Sequence, residues 1–184
     1  MPFIPGLPEG GSLLDLFRAF PDTSRPLIAF HEVLLRGPSP FTEAERELIA
    51  AYVSGLNACR YCYGVHTATA ERLGVPAGAV AAALEDLASA PIDVRMQPVL
   101  AYAGKLTASA RGVTAADARA ILDAGWDAKA LYHTVAVTAL FNFMNRLVEG
   151  SGIELDPAYV KPAAERLADR GYGALIEMLG RRAR

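Results

Sequence analysis

Residues 42–73 read TEAERELIAAYVSGLNACRYCYGVHTATAERL. Thr42 followed by Glu45 is a capping box, in which a hydroxyl and a carboxylate each satisfy an orphan backbone donor of a helix's first turn. Helical periodicity continues from there to a break at Gly55-Leu56-Asn57. A second helical run then stops at Gly74-Val75-Pro76, a left-handed cap followed by a residue that cannot continue the helix. The stretch therefore predicts two helices folded back on one another.

The rest of the chain has the same character, because Ala, Leu, Glu and Arg dominate and alternating β-branched runs are missing. The expected fold class is all-α, a helical bundle. Punctuation places helices at roughly Leu13 to Phe20, Arg25 to Leu35, Glu43 to Ser54, Asn57 to Leu73 and Ala77 to Leu87. Further helices are expected at Val94 to Ala108, Ala115 to Asp123, Ala128 to Glu149, and from Ala158 to Gly171 onward. Thr114 with Asp117 makes a weaker capping box, so Thr42 to Leu73 and Thr114 to Leu147 hint at two related helical hairpins. Residues 1–12 are dense in Pro and Gly and read as an extended arm that lies on another surface, a neighbouring subunit included. Residues 13–184 read as one all-helical domain.

Over 184 residues, 52% are hydrophobic and 21% charged, which argues for a buried core and against a disordered chain. A formal charge of -2 supplies no field for phosphate or acidic lipid, so no nucleic-acid partner is expected. The basic tail Arg181 to Arg184 reads as a frayed terminus. No apolar run approaches the roughly 18 residues of a membrane span. Nor does the opening segment show a basic region followed by an apolar one, so a cytoplasmic protein is expected. No strand followed by a glycine-rich phosphate loop occurs, and no cofactor is expected. The two cysteines, Cys59 and Cys62, are too few for a disulfide scaffold or a four-thiolate metal site.

Cys59 and Cys62 lie at i and i+3, on one helix face and close enough to form a disulfide after modest adjustment. His66 is at i+4 from Cys62, within reach of its sulfur directly or through one water. The thiolate is the nucleophile, and a free thiol with a pKa of about 8.5 is only slightly ionised at neutral pH. The imidazole and the helix N-terminus are expected to lower the Cys62 pKa by about two units, roughly 2.7 kcal/mol of thiolate stabilisation. Arg60 adds positive potential only if it turns inward, and its default is solvent. Glu47 precedes the break by about as many residues as His66 follows it, so an antiparallel return at about 1.5 Å per residue sets the two at similar heights. There a carboxylate would orient the ring and shuttle protons. Glu45 is committed to the cap and Glu43 starts the helix, while the default for any one of these acids is a solvated face.

In that order and spacing, Glu47, then Cys59-Arg60-Tyr61-Cys62, then His66, the chain resembles the alkylhydroperoxidase D-like proteins of the carboxymuconolactone decarboxylase superfamily. The likeness is strong over roughly Phe41 to Val75 and loose elsewhere, and Phe141-Asn142-Phe143-Met144-Asn145-Arg146-Leu147 is similar to the superfamily's peroxidase-related branch. The resemblance implies an all-helical subunit that assembles into trimers or hexamers and reduces organic hydroperoxides. It makes Cys62 the peroxidatic sulfur, Cys59 the resolving one, His66 the base and Glu47 the relay acid. A dithiol protein or small thiol must then restore the pair. The family's best-known peroxidases carry a second histidine just before the peroxidatic cysteine, whereas Tyr61 stands here, a poor base at neutral pH that shortens or reroutes the relay. The decarboxylase branch does not use a Cys-x-x-Cys pair, so the dithiol favours oxidoreductase chemistry.

Other polar residues have plainer expectations. His133 and His31 read as hydrogen-bonded core histidines. Asn142, Asn145, Arg146 and Glu149 form a polar stripe whose default is a solvated face, with pocket lining or a subunit contact as the sharper alternative for the two asparagines. Phe141 and Phe143 read as packing, or as an apolar mouth for a peroxide tail. A different class remains open on the same fold: a dithiol redox sensor, or a metal-binding module in which Cys59, Cys62 and His66 are ligands.

Overall fold

The computed structural model describes residues 1–180, and the basic tail Arg181 to Arg184 lies outside the described residues. Among the described residues the chain is all-α, with no strand. The elements are α1 (Leu13–Ala19), α2 (Pro21–Leu35), α3 (Glu43–Leu56), α4 (Arg60–Arg72), α5 (Ala79–Glu85), α6 (Met96–Ala108), α7 (Ala115–Asp123), α8 (Ala128–Gly150), α9 (Pro157–Arg170) and α10 (Gly173–Gly180), with a 3-10 turn at Ala110–Gly112. Full capping boxes start α1, α3 and α7, built by Ser12 with Asp15, Thr42 with Glu45 and Thr114 with Asp117. Asp127 and Asp156 cap α8 and α9.

Three helix boundaries depart from expectation, each for a local reason. Helix α2 begins at Pro21 rather than Arg25, since proline in the first turn gives up an N–H that has no helical partner anyway. Helix α4 begins at Arg60 rather than Asn57. The Cys59 N–H donates to the Ser54 carbonyl (3.0 Å) and the Ala58 N–H to that of Gly55 (2.9 Å), which is a Schellman closure of α3. Ala58 occupies its left-handed position with φ 54°, where a Cβ is disfavoured. At the C-terminal end Gly171, at φ 64°, terminates α9 and lets α10 turn back. A Cβ there would sit 2.7 Å from Glu32 Oε2, the oxygen that accepts the N–H groups of Tyr172 (2.6 Å) and Gly173 (2.9 Å).

Helix α3 is the centre of the molecule. From Arg46 to Ser54 every residue is buried, as expected of a helix enclosed on all sides. It packs on α4 above all, then on α8, α6 and α5, while α4 also carries α9. The segment Thr114 to Leu147 is built differently from Thr42 to Leu73: α7 and α8 touch each other little, and α8 lies mainly on α3 and α6. The N-terminal arm rests on its own chain, with the Phe3 N–H donating to the Ser151 carbonyl (2.9 Å) and the terminal amine paired with Glu154 (3.0 Å). No helix among the described residues is long and apolar enough to cross a membrane.

Candidate active site

The α3–α4 return brings Glu47 and His66, nineteen residues apart, into contact: the imidazole Nδ1–H donates to Glu47 Oε2 at 2.7 Å. Glu47 has no solvent exposure, so each of its lone pairs needs a partner from the protein. Its Oε1 accepts from Arg36 Nη2 at 2.7 Å and from the Tyr172 hydroxyl at 2.8 Å. Four segments therefore converge on one carboxylate: the Arg36 cap of α2, then α3, α4 and Tyr172 in the turn between α9 and α10. Burial by itself would push the Glu47 carboxyl up. The His66 charge and hydrogen bond, then Arg36 and Tyr172, more than offset that and hold it down, to about 2. Such a group does not carry a proton at neutral pH. It fixes the His66 tautomer and ring plane and leaves Nε2 as the free acceptor.

Cys59 caps the N-terminus of α4 and is fully buried, while Cys62, half a turn into the helix, lines an apolar cleft together with His66. The cleft encloses about 560 Å³ of space, including its opening to solvent. No direct hydrogen bond joins Cys62 to His66 among the described residues, and contact between them goes through the cleft they share. Both thiols are unbridged, and their ionisation is linked. A hydrogen bond from Cys62 holds the Cys59 thiol below the ordinary value in spite of burial. Cys62 is pushed well above it, first by that same bond to Cys59, then by burial and the Cys59 charge, with Asn145 acting the other way and Glu149 adding to the rise. A lowered Cys62 pKa is the expectation from sequence, and here it is raised. The cleft-facing sulfur is the more reluctant acid because the pair shares one hydrogen bond and Cys62 is the side that keeps its proton, although it lies in the first turn of α4.

Several residues stand nearer the chemistry than their sequence patterns indicate. Asn145 is buried, not part of a solvated stripe; it donates to Ser54 Oγ (3.0 Å) and accepts from Asn57 Nδ2 (2.9 Å), pinning the turn that carries Cys59. Asn57 Nδ2 also donates to Asn142 Oδ1 at 3.1 Å. His31 donates from Nδ1 to its own helix at Leu27 O (2.8 Å), as a core histidine would, yet it also lines the cleft. Burial pushes its pKa down to about 4, so it presents a neutral imidazole. Tyr61 is also in the wall, 6.0 Å from the Tyr159 ring, with burial pushing its hydroxyl pKa up and out of use as a base. The second imidazole of the cleft thus comes from α2, not from the position before Cys62. Arg36, Tyr172 and His31 carry no motif, and only packing brings them here. His133 is buried and bonded to Ser39 Oγ (3.0 Å), as expected. Phe141 is in the core, its ring centre 4.5 Å from that of His66 in a near-perpendicular arrangement, whereas Phe143 is exposed. No group of three or more His, Cys, Asp or Glu placed to hold one metal ion occurs among the described residues.

The carboxymuconolactone decarboxylase family model matches residues 21–105, a span that contains Glu47, Cys59, Cys62 and His66. Among solved structures the chain is similar to an uncharacterized peroxidase-related protein from Silicibacter sp. TM1040, with a TM-score of 0.74 and 25% identity over 80% of this chain and 77% of that one. It is also similar to an alkylhydroperoxidase AhpD core, an uncharacterized peroxidase-related protein from Ralstonia eutropha JMP134, with a TM-score of 0.73 and 25% identity over 79% and 76%. No curated protein matches the chain.

Proposed function

We propose, from the carboxymuconolactone decarboxylase family match over residues 21–105 and the likeness to peroxidase-related structures, that the chain is an alkylhydroperoxidase D-like thiol peroxidase that reduces organic hydroperoxides through a Cys59/Cys62 dithiol cycle. The observation that carries the reading is that one apolar cleft presents one sulfur, Cys62, and with it an imidazole, His66, whose other nitrogen is bound to a buried carboxylate. Cys59 is the more acidic sulfur but has no access to the cleft; Cys62 has the access and requires a base. His66 Nε2 supplies it, and Glu47 stabilises the imidazolium that results. The Cys62 thiolate attacks the terminal oxygen of R–O–OH and the O–O bond breaks. Sulfur becomes the sulfenic acid, and the alkoxide takes the proton from His66 to leave as R–OH. The Cys59 sulfur then displaces hydroxide from the sulfenic acid, giving the disulfide and water. A dithiol protein or small thiol re-reduces it by exchange, which suits a reducing compartment such as the cytoplasm. The superfamily resemblance supports a homo-oligomer, trimeric or hexameric.

The test is peroxide-dependent consumption of a dithiol such as dithiothreitol with cumene hydroperoxide as substrate. Cys62→Ser is expected to abolish turnover. Cys59→Ser is expected to consume one equivalent of peroxide and accumulate a sulfenic acid that dimedone traps, and His66→Ala to lower the rate by about two orders of magnitude or more. Wild-type turnover by Cys62→Ser would overturn the reading. One slow oxidation with no cycling in the wild type would point instead to a dithiol sensor.

A further inference from the structure

Among the residues that line the cleft, Arg166 of α9 is the single permanent charge. Its Nη2 donates to the Tyr159 hydroxyl at 2.9 Å and its guanidinium lies 5.6 Å from the centre of that ring. Its Nε is buried with no hydrogen-bond partner among the described residues. Nor is any carboxylate within ion-pair distance of it among the described residues, although the neighbouring Arg72 and Arg170 pair with Asp169 and Glu177. Arg166 is half-buried, so its guanidinium keeps its charge at the edge of an apolar cleft and, having no counter-ion among the described residues, is available to a ligand that brings its own anion. The wall is continuous from the sulfur to this charge: Cys62, the adjoining Tyr61, Tyr159 stacked on it, then Arg166. Much of the remaining lining is apolar, with Phe17, Ile28, Met144 and Leu175.

Resting on the peroxidase reading, we propose that the hydroperoxide taken by this cleft is an amphipathic carboxylic acid of the fatty-acid type, its carboxylate paired with Arg166, its hydrocarbon in the apolar lining and its O–O bond at Cys62. One planar guanidinium with donors in a fork suits a monoanionic carboxylate; no second cation among the lining residues answers the further charge of a phosphate ester.

Two measurements test it. The first compares kcat/KM for linoleic acid hydroperoxide and for its methyl ester, in the wild type and in Arg166→Gln. The acid is expected to be preferred about tenfold, mainly through KM, with the preference collapsing toward parity in Arg166→Gln and partly kept in Arg166→Lys. The second is calorimetric titration with decanoate and with methyl decanoate, which needs no turnover: decanoate is expected to bind more tightly, in a salt-sensitive manner that Arg166→Gln removes. Circular dichroism melts of the variants verify that they are folded. Equal handling of acid and ester by the wild type, or a preference untouched by Arg166→Gln, overturns the anion site while leaving the peroxidase reading in place. Arg166-dependent decanoate binding with no turnover of either hydroperoxide overturns the peroxidase reading and leaves the anion site standing.

Discussion

Glu47 does more at the residue scale than its place in an acid-rich helix start suggests. Replacing it with Gln keeps the shape but leaves the Arg36 guanidinium, itself largely buried, with only its longer contact to the half-exposed Glu43 (3.5 Å), and gives His66 a neutral partner. Glu47→Gln is expected to lose about 3 kcal/mol of stability in urea denaturation, the cost of breaking a buried pair by removing one side. It is also expected to slow peroxide reduction, since the imidazolium formed on proton transfer is less stabilised. The cysteines offer a second check through the pH dependence of iodoacetamide alkylation followed by mass spectrometry. Cys62 in the wild type is expected to titrate above an ordinary thiol. In Cys59→Ser its midpoint should fall, because the neighbouring sulfur is the first cause of the rise. An unchanged midpoint would show that burial alone governs it.

At the scale of elements, the turn between α3 and α4 decides where the chemistry sits. Ala58 holds a left-handed conformation normally given to glycine, so Ala58→Gly is expected to raise stability by about 0.5–1 kcal/mol, a few degrees in Tm, with the turn and activity retained. Gly55, one turn earlier, behaves oppositely. A Cβ there would collide with Leu84 of α5 and press on Tyr63, so Gly55→Ala is expected to cost about 1–3 kcal/mol by overpacking, measured in the same melts. Gly55 marks the break in the sequence, but the choice of Ala at the strained position hides where α4 starts. That three-residue shift puts Cys59 at the N-cap of α4 and Cys62 in its first turn.

For the whole molecule, α2, α3, α4 and α10 share one buried polar cluster, and its ionisation couples local chemistry to global stability. His31 has a folded pKa of about 4 against an ordinary 6.5, so its neutral form stabilises fully above pH 6.5 and the contribution drains as pH falls toward 4, about 3 kcal/mol in all. Glu47 is depressed as well; its contribution is present above the ordinary 4.5 and is lost as pH falls from there toward 2. Acid unfolding is therefore expected in two successive stages, and His31→Phe should flatten the first while leaving the second, as read from urea midpoints across pH. The sequence by itself determined the all-α class, most helix starts and the pairing of Glu47, Cys59, Cys62 and His66, because capping, periodicity and i, i+4 spacing act over a few residues. Only the tertiary structure decided that Arg36, Tyr172, His31 and Asn145 surround that motif, which sulfur faces the cleft, and that Arg166 is the charge in its wall. Those facts depend on the packing of helices distant in the chain, and no local periodicity encodes which face of one helix meets another.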